Sequence, residues 1–137
     1  MRRVFVDSAV LLYGFGEAHR WRLPSQALVQ AAAAGEVAVH VSVEALQEFL
    51  HHRMRRCPRS LALQQAERVA TVTRAHDFDH VIWDRALRLV ESTPIRGRDA
   101  IHAATALEHG FAEIVTTDAD FVVVPGLTPV APDQLGL

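Results

Sequence analysis

The chain has 137 residues, half of them hydrophobic, and a formal net charge of −2. That length suits one compact α/β domain spanning 1–137, and the composition argues against disorder. All 14 basic residues are arginine and no lysine is present, which excludes a P-loop, a Schiff-base enzyme and the usual phosphoacceptor domain.

The first element expected is a short buried strand, Arg3 to Val6, that delivers Asp7 at its carboxyl end. Ser8 is placed to cap a helix from Ala9 to Tyr13, closed by Gly14 and Gly16. A second helix starts near Pro24 and runs to about Ala34. Val37 to Val41 reads as the second strand, and Ser42 as the N-cap of a helix from Val43 to about Arg55. Beyond Pro58, Ser60 is placed to cap a helix to about Arg74, followed by a loop from His76 to Asp79. Further helices are expected from His80 to Glu91 and from Arg98 to His109, the latter between Gly97 and Gly110. Ala112 to Thr116 reads as a third strand, with Asp118 and Asp120 just beyond it. Leu127 to Val130 reads as an edge strand beside Pro125 and Pro129. Strands alternating with helices of this length imply parallel βαβ units. The expectation is a three-layer α/β/α fold with a mainly parallel sheet of four or five strands. Ligands of such sheets bind beyond the carboxyl ends of the strands, where Asp7 and Asp118 both fall.

No apolar run approaches the ~18–20 residues of a membrane span. The apolar N-terminal stretch stops at Asp7, too soon for a signal-peptide core. With the single Cys57, these features lead us to expect a cytoplasmic location.

Four segments carry the chemistry: Val6-Asp7-Ser8, Ser42 to Phe49, Arg98 to Ala104, and Thr116 to Phe121. Their order and spacing, Asp-Ser, then Ser-x-x-x-Leu-x-Glu-Phe, then Arg-Asp-Ala-x-His-Ala-Ala, then Thr-x-Asp-x-Asp-Phe, resemble the PIN-domain pattern of VapC toxins along essentially the whole chain. The tail Val124-Pro125-Gly126-Leu127 is similar too. Ala9 departs from the pattern, standing where Asn or Ser is common, so a hydrogen bond to Asp7 is absent there.

The resemblance implies an endoribonuclease that cuts RNA with a metal-activated water and leaves 5′-phosphate and 3′-hydroxyl ends. It implies Asp7, Glu48, Asp99 and Asp118 as the catalytic residues and as the ligands of Mg²⁺ or Mn²⁺. A cognate antitoxin that covers the apolar helices, and a homodimer, are implied as partners. Elementary chemistry agrees. Hard cations want oxygen ligands and keep several waters. Clustered, unpaired carboxylates repel by roughly 4 kcal/mol per close pair at an effective dielectric of ~20, so a cation relieves them.

Around these four, Ser8 and Thr116 are candidates to support the site through their hydroxyls, and Asp120 is a weaker outer candidate. Arg98 is placed to touch the scissile phosphate or to balance the acids. Glu44 has a plainer explanation in the helix dipole. His102, on an alanine-rich helix, reads as a packed core residue, and Trp21 and Trp83 as core aromatics. Asp77, Asp79 and Asp84 read as loop, cap and solvated helix face. Arg53, Arg55, Arg56 and Arg59 form a basic stretch that contacts RNA or a partner, or is simply solvated. Eight histidines invite zinc, but there is no His-Glu-x-x-His and no cysteine set. Two rivals remain at this level. An aspartate-dependent phosphatase needs the missing lysine, and a non-catalytic PIN-like binding module has no need of four acids.

Overall fold

The computed structural model describes residues 1–137. Its first strand, β1 (Arg2–Phe5), is followed by the short helix α1 (Ser8–Tyr13) and by α2 (Arg22–Ala33). β2 (Val37–Ser42) leads into α3 (Val43–Arg56) and α4 (Arg59–Val72), then β3 (Thr73–His76). α5 (His80–Ser92) and α6 (Gly97–Glu108) precede β4 (Glu113–Val115), a 3₁₀ turn over Ala119–Val123, and β5 (Thr128–Val130).

Every pairing between strands is parallel. β1 runs beside β2 with Phe5 opposite His40, and β2 runs beside β3 with Ser42 opposite His76. β4 pairs with β5. A single bridge, Val6 to Val115, joins the two groups, with the Asp7 amide donating to the Val115 carbonyl at 2.9 Å. The resulting order is β3-β2-β1-β4-β5.

The alternation of side chains along β1 separates two cores. Val4 and Val6 join Val39, Val41, Leu11, Leu28, Phe49 and Val69 under α1 to α4. Phe5, on the opposite face, packs with Ile82, Leu89, Ala100, Ala103, Ala104 and Ile114 under α5 and α6. This is the three-layer arrangement expected, and five strands fill the sheet. The alanine stripe of α6 lets that helix approach closely; Ala100, Ala103, Ala104 and Ala106 are all fully buried. No helix is long and apolar enough to cross a membrane.

The chain goes from β1 to β2 and β3 on one side, then returns to place β4 on the other side of β1. The strand order therefore reverses between β1 and β4, and the crevice at that point opens beyond their carboxyl ends. Asp7 and the segment holding Asp118 lie there.

Some expectations need correction. Thr73–His76 is a strand, not the end of a helix and a loop. It is only partly buried and carries no apolar run, so its pairing with β2 decides its conformation. α4 begins one residue before Ser60, capped at Pro58 without a side-chain bond. Trp83 is 47 % exposed on α5 and is no core residue. The cap assignments of Ser42 and Asp79 do hold: their side chains accept from the Ala45 and Ile82 amides.

A row of rings crosses β2, β3 and the end of α6. His40 and His76 stack at 5.0 Å between centroids and share a 2.8 Å hydrogen bond from Nδ1 to Nε2. His76 stacks in turn on His109 at 3.8 Å. Burial, reinforced by His76, Arg3, Arg74 and His109, pushes His40 down to about 4.

Candidate active site

Asp7 is 5 % exposed and sits where β1 gives way to α1. It is the N-cap of α1 by position, yet its side chain caps nothing. One carboxylate oxygen, Oδ2, instead accepts from the Thr116 hydroxyl at 3.0 Å. The Thr116 oxygen accepts in turn from the Asp118 amide at 3.0 Å. A single buried hydroxyl thus ties the ends of β1 and β4 together. Asp118 is itself partly committed, since its Oδ1 accepts from the Asp120 amide at 2.8 Å and caps the 3₁₀ turn. Asp120 is exposed and contributes only that amide to the network.

Glu48 projects from the second turn of α3. The Ser8 hydroxyl donates to its Oε2 at 2.7 Å, so Ser8 serves the site rather than capping α1. Its Oε1 lies 3.1 Å from Nε2 of His102. His102 Nδ1 lies 2.7 Å from the Ser42 hydroxyl oxygen, which also accepts the Ala45 amide. If the Ser42 O–H donates to Nδ1, the imidazole presents Nε2–H to Glu48, and each group in the relay has a partner. His102 is 1 % exposed. It is packed, as expected, but both ring nitrogens are used; its place in the site was missed. The hints in the sequence are its place in the Arg-Asp-Ala-x-His-Ala-Ala segment and its position one helical turn beyond Asp99.

The electrostatics group the four acids. Burial raises the Asp99 carboxyl, and the charges of Asp7, Asp118 and Glu48 push it further, to about 6, against the pull of His102. Asp7 is also raised, chiefly by burial, with Glu48 adding to it and His102 and Thr116 opposing. For Glu48, burial acts upward, but the hydrogen bonds from His102 and Ser8 outweigh it and hold the carboxyl below its usual range. For His102, burial acts downward, and the Glu48 bond with the Asp7, Glu48 and Asp99 charges reverses it, leaving the imidazole raised.

Asp7, Glu48, Asp99 and Asp118 therefore share one field. The donors are carboxylate and hydroxyl oxygens, which suit a hard divalent cation. No three acid, histidine or cysteine side chains already stand as a ready-made ligand group. Glu44 and Arg98 line the cleft that opens beside Glu48.

A parallel sheet with acids gathered at its switch point defines an α/β fold with an acidic ligand crevice at the strand ends. The family model described as the PIN domain matches residues 4–127. The chain is 33 % identical to ribonuclease VapC7 of Mycobacterium tuberculosis, over 98 % of this chain and 94 % of that protein. The chain belongs to the PIN-domain family, and within it to the VapC type. Solved structures share the fold at lower identity. VapBC from Salmonella typhimurium, bound to DNA, superposes with a TM-score of 0.75 at 15 % identity, covering 96 % of this chain and 99 % of that one. VapC20 of Mycobacterium tuberculosis, a toxin cleaving the sarcin-ricin loop, gives 0.70 at 20 % identity, covering 87 % and 92 %.

Proposed function

We propose that this chain, a single PIN domain over 1–137, is the ribonuclease toxin of a VapBC-type pair. In this reading it hydrolyses RNA phosphodiester bonds with Mg²⁺ or Mn²⁺ and acts in the cytoplasm. The observation that carries the reading is Asp7: a buried carboxylate at the switch point, freed from capping and oriented by Thr116.

A divalent cation held by these acids would lower the pKa of a bound water and neutralise charge on the phosphoryl oxygens. Asp7 and Asp99 are the residues assigned to hold it, with Asp118 kept near through Thr116. Glu48, fixed on both oxygens by Ser8 and His102, orients water toward the phosphorus. Arg98 lines the same cleft as Glu48 and meets the scissile phosphate. An RNA substrate is supported by a relative named a ribonuclease and a fold neighbour named a sarcin-ricin-loop-cleaving toxin. A cognate antitoxin follows from the VapBC complexes that share the fold. A homodimer is part of the same reading.

RNA incubated with the protein and Mg²⁺ or Mn²⁺ should be cut, with cleavage lost on chelation and in Asp7→Asn. Removing one such group at a nuclease centre should cost at least about 100-fold in rate. Calorimetric titration of Mn²⁺ gives a second readout, with affinity weakened in Asp7→Asn and Asp99→Asn. RNA retained but never cut under any metal condition would instead favour a binding module.

A further inference from the structure

α3 is divided along its length. Glu44, Gln47, Glu48, His51, His52, Arg55 and Arg56 recur at helical spacing and line one cleft of about 460 Å³, facing Arg98 and Ile101 of α6. Acids occupy the end near the candidate site and bases the far end. With 1.5 Å of rise per residue, Arg55 lies about 11 Å along the axis from Glu48, a distance that a short run of nucleotides spans.

The positive end is not neutralised by the protein. The arginine ion pairs of the chain are Arg85 with Glu108 and Arg88 with Glu91, both on the other face. Arg55, Arg56 and Arg98 are exposed and have no carboxylate partner. Arg53 differs, being buried and bonded through Nε to Gln65 at 2.8 Å. His52 feels the excess: burial lowers its pKa first, then Arg56, Arg53 and Arg55. Its Nδ1 is buried without a partner. The helix dipole accounts for basic residues at the end of α3. It does not account for their opening into the cleft that holds Glu48.

A second hollow, of about 510 Å³, shares Leu12, His52 and Arg56 with the first. In its wall the rings of Tyr13 and His19 stack at 4.5 Å and 16°. The two hollows adjoin across these shared residues and together outline a trench, with acids at the start, guanidinium groups in the middle and a flat aromatic pair at the end. Phosphate-binding arginines followed by a stacking surface are the chemistry of single-stranded nucleic acid binding.

We propose that the RNA strand flanking the scissile bond lies in this trench, its phosphates on Arg98, Arg55 and Arg56 and a base against the Tyr13–His19 pair. This rests on the ribonuclease reading and names the path its substrate takes.

The test uses Asp7→Asn protein, to prevent cutting, with Mg²⁺ and a labelled single-stranded RNA pool of random sequence. Affinity is measured across a range of NaCl concentrations. The double variant Arg55→Gln/Arg56→Gln should bind more weakly, with a log–log salt slope shallower by about 1.4, or ~0.7 per lost phosphate contact. Tyr13→Ala should lose about tenfold in affinity with the slope kept. Arg85→Gln/Arg88→Gln, on α5, should change neither. As a check independent of substitution, photo-crosslinking with thiouridine RNA should label the Tyr13–Arg20 segment or α3. An unchanged slope in the Arg55/Arg56 variant overturns the proposal, as do crosslinks confined to α5. It falls equally if that variant loses only an acidic protein partner and keeps RNA. Binding that follows these expectations in a protein whose wild type never cuts RNA would remove the ribonuclease reading and leave the trench standing.

Discussion

Asp99 sits in the first turn of α6, where the helix dipole favours an anion, yet its carboxyl is pushed up to about 6. Burial and three neighbouring acids outweigh the dipole, so folding without metal works against this charge. A folded pKa above the unfolded value near 4 means that the native state binds the extra proton. The stabilisation is complete at acid pH and is lost as pH rises through about 6. At pH 7.5 in chelator, Asp99→Asn should therefore be more stable than wild type by about 1–2 kcal/mol, raising Tm by a few degrees. Saturating Mn²⁺ should reverse the order, because wild type alone gains the full binding energy. Thermal melts with and without metal decide it; Asp99→Asn no more stable than wild type in chelator would count against the clustering. At this scale the four acids stood out through the ordered motifs that resemble the PIN pattern; taken singly, Asp7 reads as a cap and Asp99 as an acid in a helix first turn. The roles of His102 and Ser42 did not. His102 meets Ser42 and Glu48 across separations of 60 and 54 residues, and no local pattern encodes such a meeting.

The caps of α3 and α5 look alike but do different work. Ser42 accepts from Ala45 and also contacts His102, whereas Asp79 accepts from Ile82 alone. Each loses about 1 kcal/mol on replacement by alanine. Ser42→Ala also strips His102 Nδ1 of its partner in a buried place, which adds roughly 1–2 kcal/mol. It loosens the imidazole that holds Glu48, so RNA cleavage should fall about 10-fold or more, as when an outer ligand support is removed. Asp79→Ala should lower Tm slightly and leave cleavage unchanged. Equal cleavage in the two variants would mean that the Ser42–His102–Glu48 line is only structural. The helices themselves were readable from caps and spacing to within a residue or two. β3 was not, because Thr73–His76 has no strand pattern of its own and acquires one only by lying against β2.

For the whole molecule, the parallel sheet puts every strand's carboxyl end on one side. That arrangement brings Asp7 and Asp118 together from sequence positions more than a hundred residues apart. It was legible because alternating strands and helices allow few topologies. The edge at Thr128–Val130 was legible from its prolines, whereas the opposite edge, β3, depended on contacts that the sequence does not display. The β3 edge is where the stacked histidines matter. His40 holds its neutral form down to about 4, because it is buried among His76, Arg3, Arg74 and His109. Its buried Nε2 has no partner, so an added proton would find no acceptor. The unfolded chain takes up that proton near 6.5. The folded form therefore loses relative stability as pH falls from about 6.5 towards 4. Between pH 7 and pH 5 wild type should lose roughly 5 °C more in Tm than His40→Phe does, the protonation of Asp99 offsetting part of the loss in both. Amide exchange should rise first in Thr73–His76. A wild-type melting curve as insensitive to acid as that of His40→Phe would rule this out. The same stack makes the outer strand the seam of the sheet most sensitive to acid, since opening it would release His40 to take up the proton it refuses while buried.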